Sequence, residues 1–368
     1  MDLYEIDRKL SEFIKDIDFY SFLTPLNQKE ERGKFFSALK KDEIYNPVFS
    51  YKGRELSDKK KELARLRSAL DKEDELHKLF IKKMDFIDVQ LELLEADDEH
   101  LADVAANLHG MPSAECLELT KKILSESKEE EYVFPEEVVT PDEMASILRA
   151  EMESKGIDWK CLISSKIVPK ITVSGENKII YVNSNLNYTA EEVERLKIHE
   201  IEVHIYRGAN GGRQPFGIFA EGLAGYDETE EGLAIAAEEI TGVLKVDTRQ
   251  LKLYAGRALC VDLCMKGTFY ETFRALCEFF PDYIAYRITE RGKRGLKDTS
   301  RKGGLTKGFH YISGLIKMRK YIRREGDLSI LYVGKIGVED TDIVRRLLDE
   351  GILSSPKYLP EFIERKKA

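Results

Sequence analysis

The sequence predicts a helix-rich α+β fold, and three observations support this prediction. Hydrophobic residues make up 42% and charged residues 34% of the 368-residue chain, which is typical of a packed, folded protein. Apolar residues recur at helical spacing through most of the chain. Strand-forming residues are concentrated in one short region, residues 166–183. We therefore expect a mainly helical protein that contains one small antiparallel sheet.

Two domains are expected, because folded domains contain roughly 150 residues. A polar, acidic stretch separates a helical N-terminal lobe, residues 1–135, from a second domain, residues 136–368. Between Leu56 and Leu70, leucines repeat at spacings of three, four and seven, as on an amphipathic helix. A coiled-coil surface is the alternative interpretation, but the pattern ends near Asp74. This favours packing of the leucines on an internal core.

The strand-forming region contains two β-branched runs separated by a polar turn, residues 174–177, which is the pattern of a β-hairpin. Pro169 has no N–H group to donate to a neighbouring strand, so the first run is expected to have one free edge. A free strand edge beside a catalytic helix can receive an extended peptide.

Helices are expected to dominate the rest of the second domain. Thr189 and Glu192 have the spacing of a capping box, which predicts a helix that continues to about Arg207, before a glycine-rich turn. Another helix is predicted to begin near Asp227. The apolar run at residues 328–336 predicts one more strand.

The charge and cysteine content exclude several classes of protein. With 58 basic and 67 acidic residues, the formal net charge is −9, which argues against nucleic acid or an anionic membrane as a partner. The chain has no run of 18 apolar residues and no signal-peptide pattern, so a cytoplasmic location is expected. The five cysteines, an odd number in a long chain, do not form the pattern of a disulfide framework and favour a reducing compartment. One stretch, residues 287–324, is nevertheless basic, with 13 Lys or Arg against two acidic residues.

The most informative motif is H-E-I-E-V-H, which contains His199, Glu200 and His204. Neutral imidazoles bind zinc, and a neighbouring carboxylate can take a proton from a reacting water. Five positions separate the histidines, so on a regular α-helix they would point about 140° apart. A π-helical widening, with its i to i+5 repeat, would bring them together. The alternative is a buried core histidine on a helix whose other polar residues face solvent.

A catalytic zinc usually takes three protein ligands, so the third ligand distinguishes the two interpretations. Glu231 lies near the start of the next predicted helix and could reach the metal across the glycine-rich turn. Glu230 and Glu221 are also available. Elsewhere, Cys260 and Cys264 lie four residues apart on an apolar helix, where small buried side chains are expected rather than metal ligands.

Five segments match, in order, the landmarks of one family. They are N-P-V-F-S-Y (46–51), L-H-G-M-P (108–112), H-E-I-E-V-H-I-Y-R-G-A-N-G-G-R-Q-P (199–215), A-E-G-L-A-G-Y-D-E-T-E-E-G-L-A (220–234) and G-G-L-T-K-G-F-H-Y-I-S-G (303–314). The chain thus resembles the proteins with a Q-E-G-L-A motif, described in bacteria as flavohaemoglobin expression-modulating. This family includes the eukaryotic microtubule-associated tyrosine carboxypeptidases.

The resemblance implies one zinc ion per chain, held by His199, His204 and Glu231, with Glu200 as the catalytic carboxylate. Of the two Glu-Gly-Leu-Ala copies, the second matches the family motif, with Glu230 in place of Gln. The sequence also departs from the family pattern. Glu202 and Val203 stand where relatives have Gly and Thr, and Gly308 stands where Asp is expected.

The expected function is therefore that of a zinc-dependent metallopeptidase, a carboxypeptidase that removes a C-terminal residue from a peptide or protein tail, for which an acidic tail is one candidate. Tyr311 is a candidate donor to the oxyanion, although a packing role is an equal alternative. Arg207 and Lys307 are candidates for binding the terminal carboxylate of the substrate. The alternative function is that of a non-enzymatic regulatory or binding protein stabilised by zinc.

Overall fold

The computed structural model of the protein describes residues 1–17, 19–53, 55–70, 74–127, 138–167, 169–175, 177–245 and 248–363. Within these residues the chain is mainly helical and has one three-stranded sheet. The predicted helix-rich α+β class is therefore confirmed.

The described N-terminal region is helical. Its helices are α1 (Leu3–Lys15), α2 (Phe19–Phe22), α3 (Gln28–Leu39), α4 (Ser57–Ser68), α5 (Glu75–Glu95), α6 (Leu101–His109) and α7 (Ala114–Glu126). Asp2, Asp74 and Ser113 begin three of them, because each side chain accepts a hydrogen bond from the N–H group three residues later. Leu63 and Leu66 are buried, which confirms the predicted packing on an internal core.

The N-terminal helices pack against later parts of the chain. The ring of Phe35 in α3 lies 4.8 Å from that of Phe273. The carboxylate of Asp7 in α1 accepts a hydrogen bond of 2.7 Å from the N–H group of Gly217. Side chains from both predicted domains contribute to one hydrophobic cluster. The boundary predicted between residues 135 and 136 lies outside the described residues, so the division into two domains stays a prediction.

The sheet contains β1 (Lys160–Ser164), β2 (Ile171–Ser174) and β3 (Ile179–Asn183), in the order β1-β3-β2. Strands β2 and β3 are antiparallel and form the predicted hairpin. The expectation of a purely antiparallel sheet is wrong, because β1 pairs with β3 in parallel. Pro169 precedes β2 instead of lying within it, and its carbonyl accepts a hydrogen bond from the Asn183 side chain at 3.1 Å.

The later helices are α8 (Pro141–Ser154), α9 (Ala190–Leu196), α10 (Tyr206–Gly211), α11 (Ile218–Glu221), α12 (Tyr226–Thr241), α13 (Thr248–Lys266), α14 (Phe269–Leu276), α15 (Asp282–Gly292), α16 (His310–Arg324) and α17 (Thr341–Asp349). The predicted capping box is confirmed, because Thr189 Oγ1 accepts from the Glu192 N–H at 3.2 Å and Glu192 binds the Thr189 N–H in return. None of the described helices combines the length and apolarity needed to cross a bilayer. A cytoplasmic location stays a prediction.

The strand predicted at residues 328–336 is wrong. This buried segment contains a 3₁₀ helix, Ser329–Tyr332, and no strand. Its carbonyl groups bind side chains instead of a neighbouring strand: Arg207 donates to Leu331 and Gln214 donates to Val333. The hydrogen bonds that a sheet would have satisfied are thus satisfied by residues of α10 and the turn that follows it.

A candidate metal centre between the π-helix and α12

A π-helical segment, Lys197–Ile205, joins α9 to α10 and contains both histidines of the H-E-I-E-V-H motif. The i to i+5 repeat of this segment places the rings of His199 and His204 on one side, with their centroids 4.9 Å apart. The widening that would bring the two histidines together, which the spacing alone left open, is therefore present. A regular α-helix through the same residues would have separated the two rings.

Helix α12 supplies the third residue of the predicted ligand set. One possible ligand atom each from His199, His204 and Glu231 lies within 4.8 Å of the others. The Nε2 atom of His199 is 3.9 Å from Oε2 of Glu231. Among the residues that the structure describes, these three form the one group of at least three His, Cys, Asp or Glu side chains that lie close enough together to hold a metal ion. Glu221 and Glu230, the other candidates for the third ligand, are not part of the group.

Both imidazoles are oriented by further carboxylates of α12. The Nδ1 atom of His199 lies 2.7 Å from Oε1 of Glu238, and Nδ1 of His204 lies 2.8 Å from Oε1 of Glu230. An ionised carboxylate only accepts hydrogen bonds, so each Nδ1 carries a proton and each Nε2 is left as the nitrogen that can bind a metal once it is deprotonated. Metal-binding histidines commonly have this arrangement, in which the second ring nitrogen binds a carboxylate.

Glu230 links the candidate ligands to a buried cation. Its second carboxylate oxygen binds the guanidinium of Arg207, which is fully buried. Burial would raise the pKa of Glu230, but the charges of Arg207 and Lys335 and the hydrogen bond from His204 lower it to about 2. Glu230 is therefore ionised under ordinary conditions.

The surroundings of His204 are strongly negative. Burial opposes a charged imidazole, but the hydrogen bond and charge of Glu230, together with the charges of Glu200 and Glu231, raise the pKa of His204 to about 9. A cation at this position is thus electrostatically favourable. The donor set and its electrostatics fit a divalent metal ion such as Zn²⁺.

Glu200 follows His199 directly and is only partly buried. Its charge acts on His204, so it belongs to the same cluster. Within the described part of the chain, no ion pair or hydrogen bond engages its carboxylate, in contrast to Glu230 and Glu238. The side chain is thus accessible to a ligand or water.

Arg207 does not lie where the sequence analysis expected it. The guanidinium binds Glu230 and the carbonyl oxygens of Leu331 and Ile336, and it is fully buried. Binding of a substrate carboxylate by Arg207 does not fit this burial, because its donors are already engaged inside the protein. Its position instead indicates a role in holding Glu230 and the 328–336 segment.

Lys307 begins the 3₁₀ helix Lys307–Phe309, and Tyr311 lies in the first turn of α16, which follows it. Lys307 Nζ forms an ion pair of 2.7 Å with Oδ1 of Asp227, which lies one helical turn before Glu231. The ring of Tyr311 stacks on that of Tyr254, with centroids 4.4 Å apart. The stacking is consistent with the alternative in which Tyr311 has only a packing role. Binding of a substrate by Tyr311 or Lys307 stays a prediction.

Many cations of the basic stretch bind the protein's own carboxylates. Arg319 pairs with Glu239, Lys317 with Glu228 and Lys320 with Glu115. Much of the basic surface is therefore neutralised internally. Cys260 and Cys264 are free thiols whose sulfur atoms lie 3.6 Å apart. Both side chains are buried, as expected for core residues.

Sequence reasoning did not find the roles of Glu230 and Glu238. A helical signal for Glu238 was present, because a spacing of seven residues places it on the same face of α12 as Glu231. Glu230 was treated only as an alternative ligand. Which carboxylate binds the metal and which orients a histidine depends on side-chain directions that only the folded structure defines.

The fold and the site define a helix-rich α+β protein with a candidate metal centre between a π-helical segment and a following helix. A family model described as microtubule-associated tyrosine carboxypeptidase matches residues 34–368. The chain belongs to this family.

Curated relatives are named as established or putative tyrosine carboxypeptidases. Human microtubule-associated tyrosine carboxypeptidase 1 is 26% identical over 237 residues, which cover 62% of this chain and 48% of the relative. Human putative tyrosine carboxypeptidase MATCAP2 is 30% identical over 181 residues, or 47% of this chain and 34% of the relative. The mouse putative tyrosine carboxypeptidase MATCAP2 is 23% identical over 354 residues, which cover 94% of this chain and 59% of the relative. The chain thus spans about half the length of the first of these relatives.

Proposed function

We propose that this protein is a zinc-dependent metallopeptidase that removes the C-terminal residue from a peptide or protein tail. The observation that carries the proposal is the convergence of His199, His204 and Glu231 beside Glu200. Carboxypeptidase activity is taken from the names of the family and of the relatives. The site chemistry and the names point to the same reaction class independently.

The residues present fit a catalytic zinc site. Two imidazole nitrogens and one carboxylate form a set used by zinc peptidases, which leaves a coordination position for water or substrate. When bound, zinc supplies Lewis-acid polarisation of the scissile carbonyl. Glu230 and Glu238 hold the two histidines in the required tautomer through their Nδ1 atoms.

Glu200 is proposed as the general base and then the general acid. It accepts a proton from the water that attacks the scissile carbonyl, and it donates this proton to the amine that leaves. The C–O bond that forms and the C–N bond that breaks thus balance as hydrolysis. Tyr311 is proposed as a hydrogen-bond donor to the developing oxyanion, since it lies on α16, which packs against α12 next to Glu231.

The test is digestion of a diverse peptide mixture, read by mass spectrometry, with zinc-loaded protein, chelator-treated protein and the Glu200→Gln variant. The proposal expects loss of single C-terminal residues that requires zinc and falls by about 10²- to 10⁴-fold in Glu200→Gln, as expected for removal of a general base. Zinc binding without cleavage would favour the non-enzymatic alternative. Internal cleavage would contradict the carboxypeptidase assignment.

A further inference from the structure

Arg257 differs from Arg207 and Lys307, which form ion pairs near the site, because no carboxylate of the described residues pairs with it. It lies on α13 and is only partly buried. Its guanidinium carbon is 5.1 Å from the ring centroid of Tyr311 and 5.6 Å from that of Tyr254. Aromatic contacts partly stabilise the charge but leave the hydrogen-bond donors of the guanidinium unused.

A second arginine adds positive charge at this place. Arg291 is exposed at the end of α15, and no ion pair engages it within the described ranges. Burial, and then repulsion from Arg291, lower the pKa of Arg257. Two neighbouring guanidinium groups without an anion are unfavourable. This contrasts with Lys307 and Arg319, which both bind carboxylates of α12.

The packing of α16 on α12 places the aromatic neighbours of Arg257 near the candidate metal centre. Tyr311 lies on α16, and Gly314 of that helix packs directly against Gly232 of α12, the residue that follows Glu231. The charge of Glu231 also acts on Arg257, Tyr254 and Tyr311. The 3₁₀ helix Lys307–Phe309 packs on α13 here, and a Cβ atom at Gly308 would lie 3.0 Å from the carbonyl oxygen of Arg257. Position 308 thus contributes no side chain that could neutralise Arg257.

We propose that Arg257, supported by Arg291, binds the C-terminal α-carboxylate of the peptide substrate beside the stacked rings of Tyr254 and Tyr311. The inference rests on the proposed function and names the group that would make the enzyme an exopeptidase. A guanidinium can bind a carboxylate through two parallel hydrogen bonds, which fixes the distance of the scissile bond from the chain end. Arg257 takes the role that the sequence analysis gave to Arg207.

The test measures binding and does not depend on turnover. Fluorescent peptides that end in tyrosine, with a free or an amidated C-terminus, are titrated into the Glu200→Gln protein and into the same protein carrying Arg257→Gln. Arg323→Gln is the control, because Arg323 is exposed on α16 and its Nε donates to a backbone carbonyl. Each titration is repeated with chelator, because a free carboxylate also binds zinc.

The inference expects the free-acid peptide to bind about 10- to 100-fold tighter than the amide, as is typical of a charge-assisted hydrogen-bonded pair. This ratio should fall to near one with Arg257→Gln, persist with Arg323→Gln and survive chelation. An unchanged ratio in Arg257→Gln, or equal binding of both peptides to the parent protein, would overturn it. If Arg257→Gln does not fold, Arg257→Lys replaces it in the test. The inference requires Arg257→Lys to lower the ratio of free-acid to amide binding as well, because a lysine cannot form two parallel hydrogen bonds to a carboxylate. Absence of cleavage would count against the proposed function but leave this result intact.

Discussion

The imidazole of His204 and the carboxylate of Glu230 are joined by a 2.8 Å contact between Nδ1 and Oε1, and the other oxygen of Glu230 binds Arg207. One buried carboxylate thus orients a candidate metal ligand and compensates a fully buried guanidinium. The stability of the helical core and the geometry of the site therefore depend on the same residue.

Replacing Arg207 should destabilise the protein. Arg207→Met leaves Glu230 buried without its main cation, and loss of one partner of a buried pair typically costs about 3–5 kcal/mol. The double variant Arg207→Met/Glu230→Gln should recover part of this loss, because it removes the unpaired charge. Urea unfolding of the three proteins measures these free energies. A stable Arg207→Met protein with weakened substrate binding would instead support the original substrate-binding prediction.

Glu238→Gln should weaken zinc binding by about 10- to 100-fold, because it changes the carboxylate that fixes the tautomer of His199. Glu239→Gln is the matched control, since the next residue of α12 pairs with Arg319 instead. Competition with a chromophoric chelator gives both affinities. Equal affinities in the two variants would remove Glu238 from the orienting role.

Gly232→Ala should destabilise the contact between α12 and α16. A Cβ atom at 232 would overlap the backbone of Gly314, so the two helices must separate. We expect a loss of about 1–3 kcal/mol, typical of overpacking, with weaker zinc binding because Glu231 moves with α12. Gly33→Ala is the control, as no atom lies within 4 Å of a Cβ placed there. Thermal unfolding that is the same for both variants would contradict this packing argument.

The ion pair between Asp227 and Lys307 predicts an acid-dependent loss of stability. Burial would raise the pKa of Asp227, but the charge and hydrogen bond of Lys307 hold it well below the usual range. A carboxylate with a lowered folded-state pKa stabilises the protein above its unfolded pKa, about 3.9, and this contribution is lost as the pH falls toward the folded value. The difference in unfolding free energy between wild type and Asp227→Asn should therefore be larger at pH 7 than at pH 3. If the difference in unfolding free energy were as large at pH 3 as at pH 7, the ion pair between Asp227 and Lys307 would not contribute as proposed.

Local sequence signals predicted much of this structure. The Thr189–Glu192 capping box and the β2–β3 hairpin each depend on residues close together in the chain. Local hydrogen bonds and side-chain periodicity determine such features, so they can be read from short segments. The spacing of His199 and His204 showed only that a π-helical widening would be needed for a shared metal site.

Features that depend on distant residues were not predicted correctly. The 328–336 segment has the composition of a strand, but Arg207 and Gln214 bind its carbonyl groups from more than 100 positions away. Strand β1 pairs in parallel across a connection that the hairpin pattern does not encode. No sequence motif marks Arg257. Its proposed role depends on the lack of a carboxylate partner among the described residues, which only the folded structure shows.

The central claim is that zinc is bound by His199, His204 and Glu231. X-ray absorption at the zinc edge tests it most directly, on protein loaded with one equivalent of Zn²⁺ and on the His204→Ala variant. The account predicts only nitrogen and oxygen ligands, at about 2.0–2.2 Å, with imidazole scattering that is reduced in His204→Ala. Sulfur ligands at about 2.3 Å, as a site at Cys260 and Cys264 would give, or a spectrum unchanged in His204→Ala, would contradict it.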